Sequence, residues 1–509
     1  MLRRLLKIVV PVAVLALGLI ALALVGGPAR LSPPASVPAG QDATALTGLV
    51  YTDPSGAIQR WDAATGQAGL VVAAAPGDRL LLAATDDGAA LAYVQTAPAA
   101  TPTPSAQIGP AYTLHVWRAG FAARTLPITA GTAYQVQAVF RNSGSLAVLI
   151  QAGLHNSGPL YLADLDAGQV QQVTDQMDSY AVGANSLVYA LRLPVPTPRV
   201  QTRPGVDRGL LGIYQPSGGD AGLVISAALA SRQAATVQIA YLPAPGVFAF
   251  PLWQYTANNA ATQLHLRAFR PDTPGAVADL PLQSAREEAS LNFSPDGRYL
   301  LYGGMIRRGA RGQPVVETRG DRDWRIALLD WTAAGPRIVR DQPFSIPPAV
   351  APSGLNWVPG GTTLALRGAQ VISDTVRGAA YARLGAPQLW LYDPAKDGLD
   401  LLLDGQAATA LVALPAGRVL LGGATAEGPS LLLAAPSSGA WQTQPLGAPF
   451  PGDVTLYCLG LLPDGAALIS AFDAQPTAES LATLYRVPLD GKPRVTIGQA
   501  RRFLPLRAR

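Results

Sequence analysis

Residues 291–304 read L-N-F-S-P-D-G-R-Y-L-L-Y-G-G, two short β-prone runs joined by a Ser-Pro-Asp-Gly turn. Outward from this stretch the turn recurs as T-D-D-G at 85–88, R-N-S-G at 141–144, V-P-G-G at 358–361, L-P-A-G at 414–417 and L-P-D-G at 462–465. Each copy ends in Gly and is followed by an apolar run. Recurrence at intervals of roughly 40 to 60 residues marks stacked supersecondary units.

A second element also recurs, in which an apolar residue and Asp precede a short turn. It reads R-W-D-A-A-T-G at 60–66, D-L-D-A-G at 164–168, L-L-D-W-T-A-A-G at 328–335, L-Y-D-P-A-K-D-G at 391–398 and P-L-D-G at 488–491. Asp accepts hydrogen bonds from backbone N–H groups two residues on, and Gly supplies the positive φ of a tight turn. Each unit therefore runs strand a, glycine turn, strand b, connection, strand c, aspartate turn, strand d. Looser copies occupy 180–193 and 239–253, and 48–72 reads as b, c and d without a.

The expected fold is all-β: a single β-propeller of four-stranded antiparallel blades behind an N-terminal transmembrane helix. Turn glycines and their equivalents mark nine units, one more than most propellers use. The expectation is about eight blades, within a range of seven to nine. Either one unit is degenerate or an end hairpin sits outside the ring. A strand a taken from the C-terminus, at 502–506, would pair the first blade with the last and remove two sheet edges.

The stretch 291–304 resembles the repeat of TolB-type, WD-repeat-like propellers, with Ser294, Pro295, Asp296 and Gly297 at the turn. The other copies keep the turn glycine and the apolar strand, so the resemblance extends over roughly 48–497. It implies the propeller fold and a role in protein contacts, and it carries over no catalytic residue.

Composition agrees with many short strands. Gly and Pro together number 97, whereas Glu occurs five times and Lys three times; helix faces favour Glu and Lys, and turns favour Gly and Pro. The net charge is +5, but Arg3, Arg4, Lys7 and Arg30 supply +4 at one end, and Arg501, Arg502, Arg507 and Arg509 supply +4 at the other. Residues 31–500 therefore carry about −3, without the basic surplus of a nucleic-acid surface. Lone Cys458 excludes an internal disulfide and reads as a small buried apolar side chain.

Residues 8–25 contain no charged or polar side chain and follow three basic residues. At ~1.5 Å per residue they span ~27 Å as a helix, enough for a thin hydrocarbon core. They read as an uncleaved single-pass anchor in preference to a signal removed at Ala21-Leu22-Ala23, with the basic segment 1–7 inside the cell and the bulk of the chain on the extracytoplasmic side of the cell membrane. Residues 26–44 read as a Pro-rich stalk, 45–500 as the propeller, and 501–509 as a basic tail or ring-closing strand.

In such blades the a–b and c–d turns share one face, and the b–c and d–a connections share the other. The long insertions, at 96–110, 193–209, 305–324 and 368–388 with a Pro-rich d–a connection at 343–352, all belong to the second class. Insertions on one face of a repeat scaffold mark a binding face. Arg199, Arg203 and Arg208 come from one insertion, Arg307, Arg308, Arg311, Arg319 and Arg322 from another, and Arg377 and Arg383 from a third. They are offset by Asp207, Glu317, Asp321, Asp323 and Asp374. The expected partner is a protein or an anionic cell-envelope component, held at an arginine-rimmed surface; solvated linker loops are the competing reading.

His115, His155 and His265 stand in separate units without metal-ligand spacing, and no nucleophile elbow or phosphate loop occurs. No cofactor or metal is expected. Trp61, Trp117, Trp324, Trp331, Trp357 and Trp390 fall in or beside strands b and c, where they read as packing between blades. The leading expectation is a non-enzymatic binding scaffold; the alternative is a glycosidase or lyase working at the central channel.

Overall fold

The computed structural model describes residues 45–507 apart from 76–78, 97–111, 131–134, 143, 152–157, 178, 184–185, 194–209, 218–219, 229–238, 256–260, 274–275, 284–290, 304–322, 333–334, 377–378, 438–439 and 474–479. The anchor and stalk expected at 1–44 lie outside these residues. Among the described residues no helix is long and apolar enough to cross a membrane.

The turn at 294–297 shows why the repeat folds as it does. Ser294 Oγ donates to Asp296 Oδ1 at 2.6 Å and accepts from Tyr299 N at 2.9 Å, while Arg298 N donates to Asp296 Oδ1 at 3.0 Å. Gly297, at φ 70°, completes the turn in the left-handed region that side chains disfavour. The turn at 85–88 repeats this chemistry with Thr for Ser. Thr85 Oγ1 donates to Asp87 Oδ1 at 2.7 Å and accepts from Ala90 N at 2.9 Å. The hydroxyls satisfy backbone groups in a buried corner, since Ser294 is 0% exposed and Thr85 4%. The aspartate turns work as read: Asp62 Oδ1 accepts from Ala64 N and Thr65 N, both at 2.9 Å, and Asp164 Oδ1 accepts from Asp166 N and Ala167 N at 2.9 and 2.8 Å.

These turns organise nine four-stranded antiparallel sheets. Eight are consecutive quartets, at 79–130, 135–177, 179–228, 240–282, 292–345, 350–404, 408–445 and 454–500. The first sheet is composite. From inner to outer edge it runs Arg502–Arg507, Leu46–Thr52, Ile58–Asp62 and Ala68–Val72, with Thr52 opposite Arg502 and Val50 opposite Leu504. The ring is thus closed by the C-terminal strand, and the repeat count is nine rather than about eight. No unit is degenerate, and the strand expected at 502–506 is the missing strand a.

Apolar clusters lie between consecutive sheets all the way round. Val50, Leu81, Leu91 and Leu506 join the first sheet to the second. Further clusters join each later sheet to its successor, and Leu49, Trp61, Leu468, Leu484 and Phe503 join the ninth back to the first. Each buried Leu or Phe contributes about 1.5–3 kcal/mol of transfer free energy. Every sheet therefore depends on both neighbours. The outer strands d are the least buried: exposed Leu70, Val339, Leu401 and Val495 all lie on them. Strands a form the inner edge.

Of the two readings of 501–509, the ring-closing strand is the one seen, at Arg502–Arg507. Two expectations are corrected. The Pro-rich stretch at 343–352 is mostly strand, because the outer strand Gly335–Ser345 runs through Pro343 and the next inner strand starts at Val350, leaving 346–349 as the connection. Pro is tolerated on an edge strand whose N–H would point away from the ladder. The insertion at 368–388 is not a loop: strands Leu364–Val376 and Ala379–Asp393 continue through it, paired to Val376 opposite Ala379. Trp357 ends the inner strand Val350–Trp357 and lies beside strand b as expected, opposite Leu364. The tryptophans at 61, 324 and 357 are buried between sheets, as packing requires.

Candidate functional site

Strand order places the start of every inner strand, the end of every strand b and the b–c connections on one face of the ring. The connections at 97–111, 194–209 and 304–322 leave that face from the second, fourth and sixth sheets. Arg199, Arg203, Arg208, Arg307, Arg308, Arg311, Arg319, Arg322 and Arg377 lie outside the described residues, as do Asp207, Glu317 and Asp321. Arg383 stands opposite Ile372, and Asp374 opposite Tyr381. Both lie in the part of the seventh sheet's b–c hairpin that runs past its neighbours: strand a pairs only to Gln370 and strand d only to Gln388. Beyond them the hairpin is a two-stranded arm on the face bearing the insertions.

The described rim of that face holds two polar networks that the sequence reading missed. In the sixth sheet the Tyr302 hydroxyl, 0% exposed, donates to Asp341 Oδ2 at 2.6 Å, and Arg325 Nε donates to Asp341 Oδ1 at 3.0 Å. Burial, reinforced by the Asp341 carboxylate, holds the Tyr302 phenol well above its ordinary pKa. The network is internally satisfied and fixes the ends of strands b, c and d around the root of the 304–322 connection. The signal available in sequence was an Arg in the strand that follows an insertion and an Asp in its outer neighbour.

The second network sits on the seam between the first and second sheets. Arg79, 8% exposed at the start of its inner strand, donates through Nη1 to the carbonyls of Gly56 (3.4 Å) and Ala73, and through Nε to Gln95 Oε1 at 3.4 Å. Its guanidinium lies 5.5 Å from the Tyr93 ring centroid, and Tyr93 stacks on His115 at 5.2 Å. Burial, with Arg79 adding to it, lowers the His115 pKa. Across the seam Arg502 is half-buried and makes no hydrogen bond or ion pair among the described residues. Its pKa is lowered by burial alone. Opposite it Thr52 is fully buried, and its Oγ1 has no partner.

The remaining singled-out residues are structural. His265 Nδ1 lies 2.6 Å from Asp279 Oδ1, and Asp279 Oδ2 lies 3.0 Å from Arg267 Nη2. His155 lies outside the described residues. Cys458 is on the inner strand Val454–Leu461, where burial pushes its thiol up to about 12. Among the described residues no three metal-ligating side chains converge.

Taken by topology, the nine inner strands carry Arg79, Arg141, Arg502 and Arg507 and no Asp, Glu or His. The outer strands carry six Asp, at 175, 220, 279, 341, 400 and 404, against Arg124, Arg337 and Arg340. Charged residues are therefore divided by strand, basic on the inner strands and mostly acidic on the outer ones.

The nine four-stranded antiparallel sheets, closed by the C-terminal strand, make the fold a β-propeller, as the repeat at 291–304 implied. No family model matches the sequence, and no curated protein matches it. Among solved structures the chain is similar to dihydro-haem d1 dehydrogenase NirN in complex with DHE, at 13% identity and TM-score 0.39, covering 93% of this chain and 77% of that one. The β-propeller domain of the trilobed protease from Pyrococcus furiosus gives 10% identity and TM-score 0.36, covering 83% and 96%. TolB from Acinetobacter baumannii gives 13% identity and TM-score 0.24, covering 60% and 65%. These likenesses concern the fold alone; the nine-sheet ring is read from this chain's own strand pairing.

Proposed function

We propose that this protein is a single-pass, membrane-anchored propeller on the extracytoplasmic side, a non-enzymatic scaffold that binds a protein or an anionic cell-envelope component through the face bearing its insertions. One observation carries the reading: the long b–c connections of the second, fourth and sixth sheets and the two-stranded arm of the seventh all leave the same face of a closed ring. A rigid ring presenting variable connections on one side is the arrangement repeat scaffolds use for capture. The test is crosslinking and pull-down from native membranes with the wild-type chain and an R307E/R308E/R311E variant. Capture of a defined partner that the variant loses supports the reading; unchanged capture by the variant removes the arginine face from it.

A further inference from the structure

Among the described residues, the seam between the first and second sheets holds two guanidinium groups, those of Arg79 and Arg502, with no carboxylate paired to either. Along the closing strand Arg502, Leu504 and Leu506 share a face, and the two leucines pack against the second sheet. On the second sheet's inner strand Arg79 shares its face with Leu81, which belongs to the same cluster. Thr52 and Val50 alternate onto that face as well, and Val50 is in the cluster. Alternation along three strands therefore places Arg502, Arg79 and Thr52 together at the insertion-face end of one seam.

Each of the three has unused donor capacity. Among the described residues the Arg502 side chain has no partner, Arg79 uses Nε and Nη1 on neutral acceptors and leaves Nη2, and the Thr52 hydroxyl is buried and unpartnered. Two carboxylates adjoin the three residues in the chain: Asp78, before Arg79, lies outside the described residues, and Asp53, after Thr52, is held by its own turn, where Oδ1 accepts from Ser55 N, Ser55 Oγ and Ala57 N at 2.9, 2.5 and 3.1 Å and Oδ2 accepts from Gln59 Nε2 at 3.1 Å. A part-buried cation without a counter-charge destabilises the fold, and a buried donor without an acceptor adds to that. An oxyanion relieves both at once, because the guanidinium fork matches carboxylate and phosphate oxygens.

We propose that this seam binds one small oxyanion, a phosphate or carboxylate group, between Arg502 and Arg79, with the Thr52 hydroxyl as a further donor. The site goes beyond partner capture by the long connections and stands or falls apart from it, since it is tested on purified protein. Half of it comes from the ring-closing strand, so the bound anion also fastens that strand to the second sheet.

Isothermal titration of the detergent-solubilised full chain with inorganic phosphate, and separately with acetate, at matched ionic strength tests the proposal. Saturable binding of either anion is expected, and the anion that binds identifies the chemistry. R502Q weakens it at least tenfold, and T52V, which keeps the side-chain shape, weakens it several-fold. R337Q, at an exposed outer-strand arginine paired with Asp330, leaves it unchanged. Binding that R502Q or T52V leaves intact overturns the proposal, as does the lack of saturable binding of both anions to the wild type.

Discussion

Leu506→Ala should loosen the ring at its closure. Leu506 is 1% exposed among Val50, Ile58, Leu81, Leu91 and Tyr93, and it belongs to the strand that closes the first sheet. Its fit is tight enough that a Cβ placed on Gly88, in the second sheet's first turn, would stand 2.8 Å from Leu506 Cδ1. Truncating such a leucine costs about 2–5 kcal/mol, from lost transfer free energy and the cavity left behind. Taking the ~360 described residues at ~2.1 cal/mol/K each, unfolding entropy is about 0.75 kcal/mol/K, so Tm should fall by about 3–7 °C. Calorimetry and urea titration of the full chain measure this, with Val495→Ala as the control. Val495 is 54% exposed on an outer strand, and its truncation should stay within about 0.5 kcal/mol. Hydrogen exchange gives the local reading: amides of Leu46–Thr52 and Arg502–Arg507 should exchange about 30-fold faster in L506A if opening is local and costs about 2 kcal/mol less. If L506A behaves like V495A in both assays, the closing strand does not hold the ring and the reasoning fails.

Three further outcomes are expected. Asp341→Asn leaves Arg325 without its counter-charge and the buried Tyr302 hydroxyl with a weaker acceptor, so stability should drop by about 1–3 kcal/mol; an unchanged urea midpoint would contradict the network's role. The pKa of Asp62 is held down chiefly by the Thr65 backbone N–H, that of Asp464 by the Ala466 N–H and then Arg486. Because the folded values are lowered, this stability is fully present above the ordinary carboxylate pKa of about 4 and is lost as pH falls through the folded values. Urea midpoints should therefore be flat near neutrality and fall below about pH 4, less steeply in D62N; parallel acid limbs for wild type and variant would count against the turn's contribution. Cys458, with its thiol pushed up to about 12, should resist a disulfide reagent at pH 8 until the ring unfolds, and rapid labelling of folded protein would show that its strand opens.

The fold was legible because its punctuation is chemical. Ser294 and Thr85 need a hydroxyl, a following Asp and a Gly in fixed order to satisfy one corner, so the turns announce themselves at residue level. The closing strand was legible by subtraction, since 48–72 lacks a strand a that only the far end of the chain could supply. Proline misled at 343–352, because an outer-edge strand tolerates it where a central strand does not. The seventh sheet's arm was hidden because a strand that outruns its neighbours has no core alternation to declare it. Val371, Ile372, Thr375 and Val376 were its β-branched signal. The Arg79, Arg502 and Thr52 grouping could not be read from sequence at all. Its members are more than 400 residues apart in part, and only strand pairing brings them together.

Closure by the last strand also sets the order of assembly. Leu46–Thr52 is made early and leaves its inner edge unpaired until Arg502–Arg507 arrives. Joining the ends of a chain segment of ~450 residues carries a loop entropy of about 5 kcal/mol when the intervening chain is flexible, and far less once the other eight sheets have stacked and brought the two edges together. Until the intervening sheets stack, the ends of the chain stay apart and the inner edge of Leu46–Thr52 is unpaired, the kind of edge on which a second chain can add a strand.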